Sequence, residues 1–200
     1  MKTVAVVYLT HPLAFEYLGG QSLGERCVQT LQEVRTIDEI AVVVAGKNAE
    51  AAAKLVDADV VVREMHDLKW DEEPALTDQH CQDAFAYALS ECPRVLVACV
   101  PYFPFLRPAT VEMCVKKLTR SIAWTGPCRV MSAVIPHPKG GVRRTEVAGY
   151  VGGVRVFRPD LRNETKPWDN TFVGVDVDAD EALNVALPTD RRLAEATLVG

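Results

Sequence analysis

The chain has 200 residues, 48% of them hydrophobic, and its formal net charge is −5. A chain of this size and composition can bury one sizeable core, which predicts a single domain over residues 1–200. The acidic balance argues against nucleic acid as a partner, and no apolar run approaches the roughly 18 residues of a membrane span. The chain starts without a recognisable signal peptide, so we expect a cytoplasmic protein that has no membrane partner.

The first part of the chain alternates strand-like and helix-like segments. A continuous run of β-branched residues at 4–9 predicts a strand that is covered on both faces. Ser22 followed by Glu25 is a capping box, which predicts the start of a helix. The next elements continue the alternation: a strand at 39–46, a short helix at 48–56 and a strand at 59–64. This order predicts a parallel sheet with crossover helices.

The second part opens with a proline-broken loop at 65–76 and a helix from residue 77. A strand at 94–100 then runs into PYFPFLRP at 101–108, where proline ends the strand and delivers the loop to an edge of the sheet. The remaining elements are predicted as follows: a helix at 110–120, strands at 129–136, 152–159 and 171–178, a small excursion at 137–150 and a closing helix at 180–186.

The cysteines are scattered through apolar segments, and none forms a Cys-x-x-Cys pair. This pattern argues against structural zinc and against a disulfide framework. We interpret these residues as small hydrophobic side chains in a reducing compartment. The six are Cys27, Cys81, Cys92, Cys99, Cys114 and Cys128.

The order and spacing of the segments resemble the cytidylyltransferases that make CMP-activated acidic sugars. LGGQSL at 18–23 resembles that family's glycine-rich entry to the first helix, and GVDVDADEALNVAL at 174–187 resembles its Ile-Asp-Ile-Asp segment. The turn at 101–107 is similar to the family's Pro-Thr-Ser-Pro-Leu-Arg turn. The resemblance implies a three-layer α/β sandwich with a mostly parallel central sheet, the glycosyltransferase-A-like fold of nucleotide-diphospho-sugar transferases. The positions of the turn that agree are Pro101, Pro104, Leu106 and Arg107.

The resemblance also implies an activity, the Mg²⁺-dependent transfer of CMP from CTP to an acidic sugar or a related small acid or phosphonate. Attack on the α-phosphorus needs positive charge to offset the phosphates. Asp176 and Asp178 could hold a cation together, since side chains at i and i+2 of a strand point to one face. The resemblance implies that they are the metal ligands and that they are catalytic residues together with Arg107. The resemblance further implies that Arg107 meets the acceptor.

Four residues of the first loop are expected to contact the nucleoside triphosphate: Thr10, His11, Gly19 and Gly20. The loop departs from the family, however, because residues 10–21 contain no lysine or arginine and include Glu16. A triphosphate held there would depend on backbone amides and the metal. The candidates to supply the missing cation are Lys47, Arg143 and Arg144, and the last two could instead serve a homodimer contact.

Several alternatives stay open at this stage. The two aspartates could form the polar face of an edge strand, and His11 could be an ordinary loop residue. Tyr102 and Phe103 could stack on a ligand or a partner, or fill a shallow pocket. The chain could thus be an active cytidylyltransferase, a nucleotidyltransferase for another base, or a catalytically degenerate protein of this fold that acts as a binding or scaffold partner.

Overall fold

The computed structural model describes residues 2–45, 61–65, 93–118, 124–136, 142–158 and 172–199, together with Ala52, Lys54 and His80. The strands in these ranges are β1 (Thr3–Leu9), β2 (Tyr17–Leu18), β3 (Gln21–Ser22), β4 (Glu39–Ala45), β5 (Val61–Met65), β6 (Val95–Cys99), β7 (Trp124–Pro136), β8 (Val142–Tyr150), β9 (Val154–Phe157) and β10 (Phe172–Asp176). The helices are α1 (Leu23–Gln32), α2 (Pro108–Lys117) and α3 (Pro188–Val199), with a 3₁₀ turn at Pro12–Phe15. None of these helices combines the length and apolarity needed to cross a membrane.

Eight of the strands form one mixed sheet in the order β10-β7-β9-β6-β1-β4-β5, with β8 paired to the second half of β7. Six of them run in one direction, namely β5, β4, β1, β6, β7 and β10. β9 runs antiparallel between β6 and β7. The sheet is therefore mostly parallel, as the sequence predicts.

Every residue of β1 is buried, so both faces of the sheet are covered at its centre. Leu9 packs against Gly24 of α1, whereas the Tyr8 hydroxyl donates a 2.6 Å hydrogen bond to the carbonyl oxygen of His80. Because neighbouring side chains of a strand point to opposite faces, α1 and the helical residue His80 lie on opposite sides of the sheet. This arrangement is the expected three-layer α/β sandwich.

The first helix begins where the capping box predicts. Ser22 is the N-cap of α1, and its Oγ accepts a 3.2 Å hydrogen bond from the Glu25 backbone N–H. Leu23, Val28 and Leu31 form the buried stripe of the helix. Local sequence therefore determines this element directly, through one cap and one apolar face.

One sequence prediction of secondary structure is wrong, and one segment contains a strand that the sequence does not predict. Within the excursion predicted at 137–150, residues 142–150 form β8 and pair with β7, and residues 137–141 lie outside the described residues. The closing helix predicted at 180–186 is a series of turns, and the last helix is Pro188–Val199. The helix predicted at 48–56, the loop at 65–76 and the helix from residue 77 also lie outside the described residues, except that Ala52, Lys54 and His80 are helical and Met65 ends β5.

Candidate functional site

The segments that follow β1, β6 and β10 leave the sheet on the same side, at the carboxyl ends of the strands, because these strands run in the same direction. We call this side the carboxyl edge of the sheet. Ligands of open α/β sheets bind outside the carboxyl ends of the strands. We name the three segments the β1 loop (residues 10–22), the β6 loop (residues 100–107) and the C-terminal arm (residues 177–199). The residues predicted as catalytic, metal-binding or nucleotide-binding lie in these segments, except Asp176, which ends β10.

The β1 loop carries the four residues predicted to contact a nucleotide. Thr10 is fully buried, and its Oγ1 lies 3.3 Å from Nε2 of His80. His11 is half-buried, and its Nδ1 accepts a 3.1 Å hydrogen bond from the Leu13 N–H, so the neutral ring carries its proton on Nε2. Gly19 and Gly20 are the two turn residues of the β2–β3 hairpin, with φ of 61° and 83°, and both are exposed. His11 and the glycine turn are therefore the accessible part of this set.

The β6 loop is anchored by its aromatic side chains. Tyr102 is fully buried and Phe103 is 9% exposed. The Phe103 ring lies directly on the Gly152–Gly153 turn, where a Cβ on Gly153 would come within 2.5 Å of the ring. Of the two interpretations left open by the sequence, these rings fill the interior of the fold, and neither is presented to a ligand.

Arg107, at the end of the β6 loop, is surrounded by carboxylates. Its guanidinium donates hydrogen bonds of 2.6 Å to Asp178 and 2.9 Å to Asp180, and one nitrogen lies 3.7 Å from Glu181. Hydrogen bonds to Asp178 and Asp180 raise the pKa of Arg107 further above its usual value. The charge of this arginine is therefore largely offset by acidic side chains of the C-terminal arm.

Glu181 is the site residue that the sequence reasoning missed. It is 4% exposed, and its Oε2 accepts hydrogen bonds from the Arg107 backbone N–H at 3.0 Å and from Thr110 Oγ1 at 2.6 Å. α2 has no side-chain cap of its own, since its N-cap residue is Arg107. Glu181 supplies the missing acceptor from the far end of the chain. The only signal in the sequence was the start of α2, which lacks a capping residue.

Asp176 and Asp178 are exposed, while the alternating residues Val175 and Val177 are buried. The two carboxylates thus both face solvent at the end of β10. Within the described ranges no three side chains of the His, Cys, Asp or Glu types cluster as a metal site. Exposed carboxylates nevertheless suit Mg²⁺, which usually takes one or two of them together with substrate phosphates and water. Asp178 also pairs with Arg107, so a cation there would share that carboxylate with the guanidinium.

The C-terminal arm joins the two loops. The Val185 N–H donates a 3.0 Å hydrogen bond to the Tyr102 carbonyl oxygen, and the rings of Tyr102 and His11 meet edge to face at 6.1 Å. Arg191 forms an ion pair with Glu16. Leu198 packs against Gly19, where an added Cβ would lie 2.8 Å from its Cδ1.

Arg191 brings a cation to the β1 loop that the sequence reasoning did not identify. Lys47 lies outside the described residues, as do the side chains of Arg143 and Arg144. These three stay candidates. Arg191 and Glu16 are 175 positions apart, which is why no local pattern predicts their contact.

At the level of sequence, no protein-family model and no curated protein matches the chain. Solved structures share its fold over essentially their whole length. A 4-diphosphocytidyl-2C-methyl-D-erythritol synthase from Anaerococcus prevotii superposes with a TM-score of 0.74 at 13% identity, over 100% of this chain and 96% of that one. A nucleotidyl transferase from Methanothermobacter gives a TM-score of 0.68 at 16% identity, over 99% and 98% of the two chains.

A third structure is CMP:2-keto-3-deoxy-manno-octonic acid synthetase in complex with CTP. It superposes with a TM-score of 0.67 at 12% identity, over 100% of this chain and 99% of that one. The resemblance inferred from the sequence is confirmed at the level of the fold. This chain has the three-layer α/β fold of the cytidylyltransferases.

Proposed function

We propose that the chain is a nucleotidyltransferase that transfers CMP from CTP to a small acidic acceptor such as a sugar acid or a phosphonate. The observation that supports it most is that Asp176 and Asp178, Arg107 and the glycine turn all lie at or beyond the carboxyl ends of parallel strands in a cytidylyltransferase-like sheet, with Asp178 in contact with Arg107. This carboxyl edge is where α/β sheets of this kind hold their ligands.

In this proposal each group has a distinct task. The exposed turn at Gly19 and Gly20 offers backbone N–H groups that can approach phosphate closely, since neither residue has a side chain. His11 can donate from Nε2. Asp176 and Asp178 would hold Mg²⁺, which supplies the positive charge that stabilises the phosphates during transfer. Arg107 is held in place by three carboxylates and can turn one of its donors toward an acidic acceptor.

Titration calorimetry with CTP, and separately with ATP, GTP and UTP, in the presence and absence of Mg²⁺, tests the binding part. We expect heat with CTP that depends on Mg²⁺ and is largely lost in Asp176→Asn. Glu33→Gln is the matched control, since Glu33 is an exposed carboxylate at the end of α1. Absence of heat at millimolar concentrations of all four nucleotides would contradict the proposal.

Turnover is tested by pyrophosphate release from CTP with a set of sugar acids and phosphonates as acceptors. A wild-type rate that Asp176→Asn and Asp178→Asn abolish, and that Glu33→Gln preserves, supports transfer at this edge. A rate that is unchanged in both aspartate variants would exclude them as metal ligands.

A second candidate is a catalytically degenerate protein that binds a ligand or a partner with the same edge. The ion pair between Asp178 and Arg107 favours it, because the carboxylate expected to take a metal already has a cation. The absence of lysine and arginine from residues 10–21 favours it as well. Nucleotide binding that is independent of Mg²⁺, without pyrophosphate release, is the result that this candidate predicts.

A further inference from the structure

Two cysteines that are distant in sequence meet beside the candidate site. Cys27 lies in the middle of α1 and Cys99 is the last residue of β6, and their Sγ atoms are 3.4 Å apart across 72 positions of sequence. Both residues are free thiols. Cys114 and Cys128, the other two cysteines in the described part of the chain, are both buried.

The two sulfurs differ in their access to solvent. Cys99 is fully buried, whereas Cys27 is half-buried and packs at the margin of the core. A reagent in solution therefore meets Cys27 more readily than Cys99. An accessible sulfur with a second one in contact behind it is the arrangement in which an oxidised cysteine is resolved by its neighbour.

We propose that Cys27 and Cys99 form a reversible disulfide when the protein meets a peroxide, with Cys27 as the attacking sulfur and Cys99 as the resolving one. The Cys27 thiolate attacks one oxygen of the peroxide, the O–O bond breaks, and Cys27 becomes a sulfenic acid as hydroxide leaves. The Cys99 sulfur then attacks the Cys27 sulfur, and the S–O bond breaks. The hydroxide that leaves takes the Cys99 proton, so two thiols and one hydrogen peroxide give a disulfide and two waters.

The environment of Cys99 agrees with this division of roles. The hydrogen bond with Cys27 and burial raise the pKa of Cys99 well above its usual value, so this thiol keeps its proton until the neighbouring sulfur is oxidised. Bond formation requires the sulfurs to close from 3.4 Å to about 2.05 Å. The sulfurs must therefore approach each other by about 1.4 Å.

The bond would fasten two elements that carry the candidate site. Cys99 directly precedes the β6 loop, and α1 directly follows the β1 loop, whose last residue, Ser22, is its N-cap. Oxidation would therefore tie the bases of both loops together. This consequence depends only on the fold and holds whether or not the chain transfers nucleotides.

Peptide mapping by mass spectrometry under non-reducing conditions tests the bond after graded treatment of the folded protein with hydrogen peroxide. We expect a peptide that joins Cys27 to Cys99, lighter by two hydrogen atoms than its parts and released by a thiol reductant. Cys27→Ser and Cys99→Ala should abolish it. Cys114→Ala, which removes another buried thiol, should retain it and so control for the loss of a buried sulfur.

Thermal unfolding gives a second measurement. The wild-type Tm should rise by about 5–10 °C on oxidation and return on reduction, and Cys27→Ser, verified as folded by circular dichroism, should show no such shift. Oxidation of Cys27 to sulfinic acid, with Cys99 still a thiol, would overturn the proposal. A bond from either residue to another cysteine would also overturn it.

Discussion

The β1 loop and the β6 loop leave the sheet at the carboxyl ends of its parallel strands, but they differ in how their tips are held. The tip of the β6 loop is fixed from within, because Tyr102 and Phe103 are buried and Phe103 rests on a glycine turn. The β1 loop buries its first half, but its exposed half is held by α3, through the ion pair of Arg191 with Glu16 and the contact of Leu198 with Gly19. Buried anchors are stronger than exposed ones, so the exposed half of the β1 loop should be less rigid than the β6 loop.

The comparison bears on the candidate site. The loop that presents Arg107 has two buried aromatic anchors, and acidic neighbours offset the charge of this arginine. The loop expected to face the phosphates has an exposed glycine turn, and α3 covers part of it. Under the proposed function, the acceptor would therefore meet the more firmly held side of the site, and the nucleotide would meet the less firmly held side.

The largest effect should come from the glycine turn under the β6 loop. Gly153→Ala places a Cβ 2.5 Å from the Phe103 ring at a φ of +81°, so strain and overlap together should lower the free energy of unfolding by about 4 kcal/mol. Gly20→Ala is the matched control, since its φ is +83° but nothing lies within 4 Å of the added carbon. Gly20→Ala should lower the free energy of unfolding by only about 1 kcal/mol.

Urea denaturation of the two variants measures the difference. If both substitutions cost the same, Phe103 is not a rigid anchor, and the contrast between the loops fails.

An intermediate effect is expected at Glu181. Glu181→Ala leaves the Arg107 N–H and the Thr110 hydroxyl without their acceptor in a buried place, which should cost about 3 kcal/mol. Asp180→Asn changes an exposed partner of the same arginine and should have a much smaller effect. Chemical denaturation measures the free energy of unfolding of both variants. Similar decreases would mean that the buried Glu181 stabilises the fold no more than the exposed Asp180 does.

The smallest effect on stability is expected for Arg191→Ala. The ion pair with Glu16 is partly exposed, so its loss should cost less than about 1 kcal/mol. The substitution should increase the motion of the β1 loop more clearly than it lowers stability. Of the contacts described between α3 and this loop, only that of Leu198 with Gly19 would remain. Hydrogen exchange should rise in the β1 loop and stay unchanged in the β6 loop. Equal rises in both loops would show that α3 does not act on one selectively.

Local patterns in the sequence predicted much of the fold. The valine run of β1, the cap at Ser22 and the proline that ends the central strand each depend on neighbouring residues, and the structure agrees with them. β8 was missed because glycine and charged residues masked a strand whose stability comes from pairing with β7. Alanine and leucine in residues 180–186 favour a helix, whereas the structure has turns there, and the Val185 N–H bonds to the Tyr102 carbonyl oxygen.

The candidate site was predicted in part, because its residue types are local but its contacts are not. Asp176 and Asp178 were found from alternation along one strand. The pairing of Asp178 with Arg107 spans 71 positions, and the contact of Glu181 with the Arg107 N–H spans 74. Only the fold brings these groups together, so the sequence could name Arg107 but could not predict that acidic residues would surround it.

The position of Glu181 and α3 late in the chain also has a consequence for synthesis. A chain emerges from the ribosome from its N-terminus, and its early elements can fold before the later ones exist. Both loops are thus synthesised before their contacts with the C-terminal arm can form, since Glu181, Arg191 and Leu198 all follow β10. The part of the molecule that carries the candidate site is completed only when residues 178–199 have been added. A chain truncated after β10 would have the strands of the sheet without a finished site.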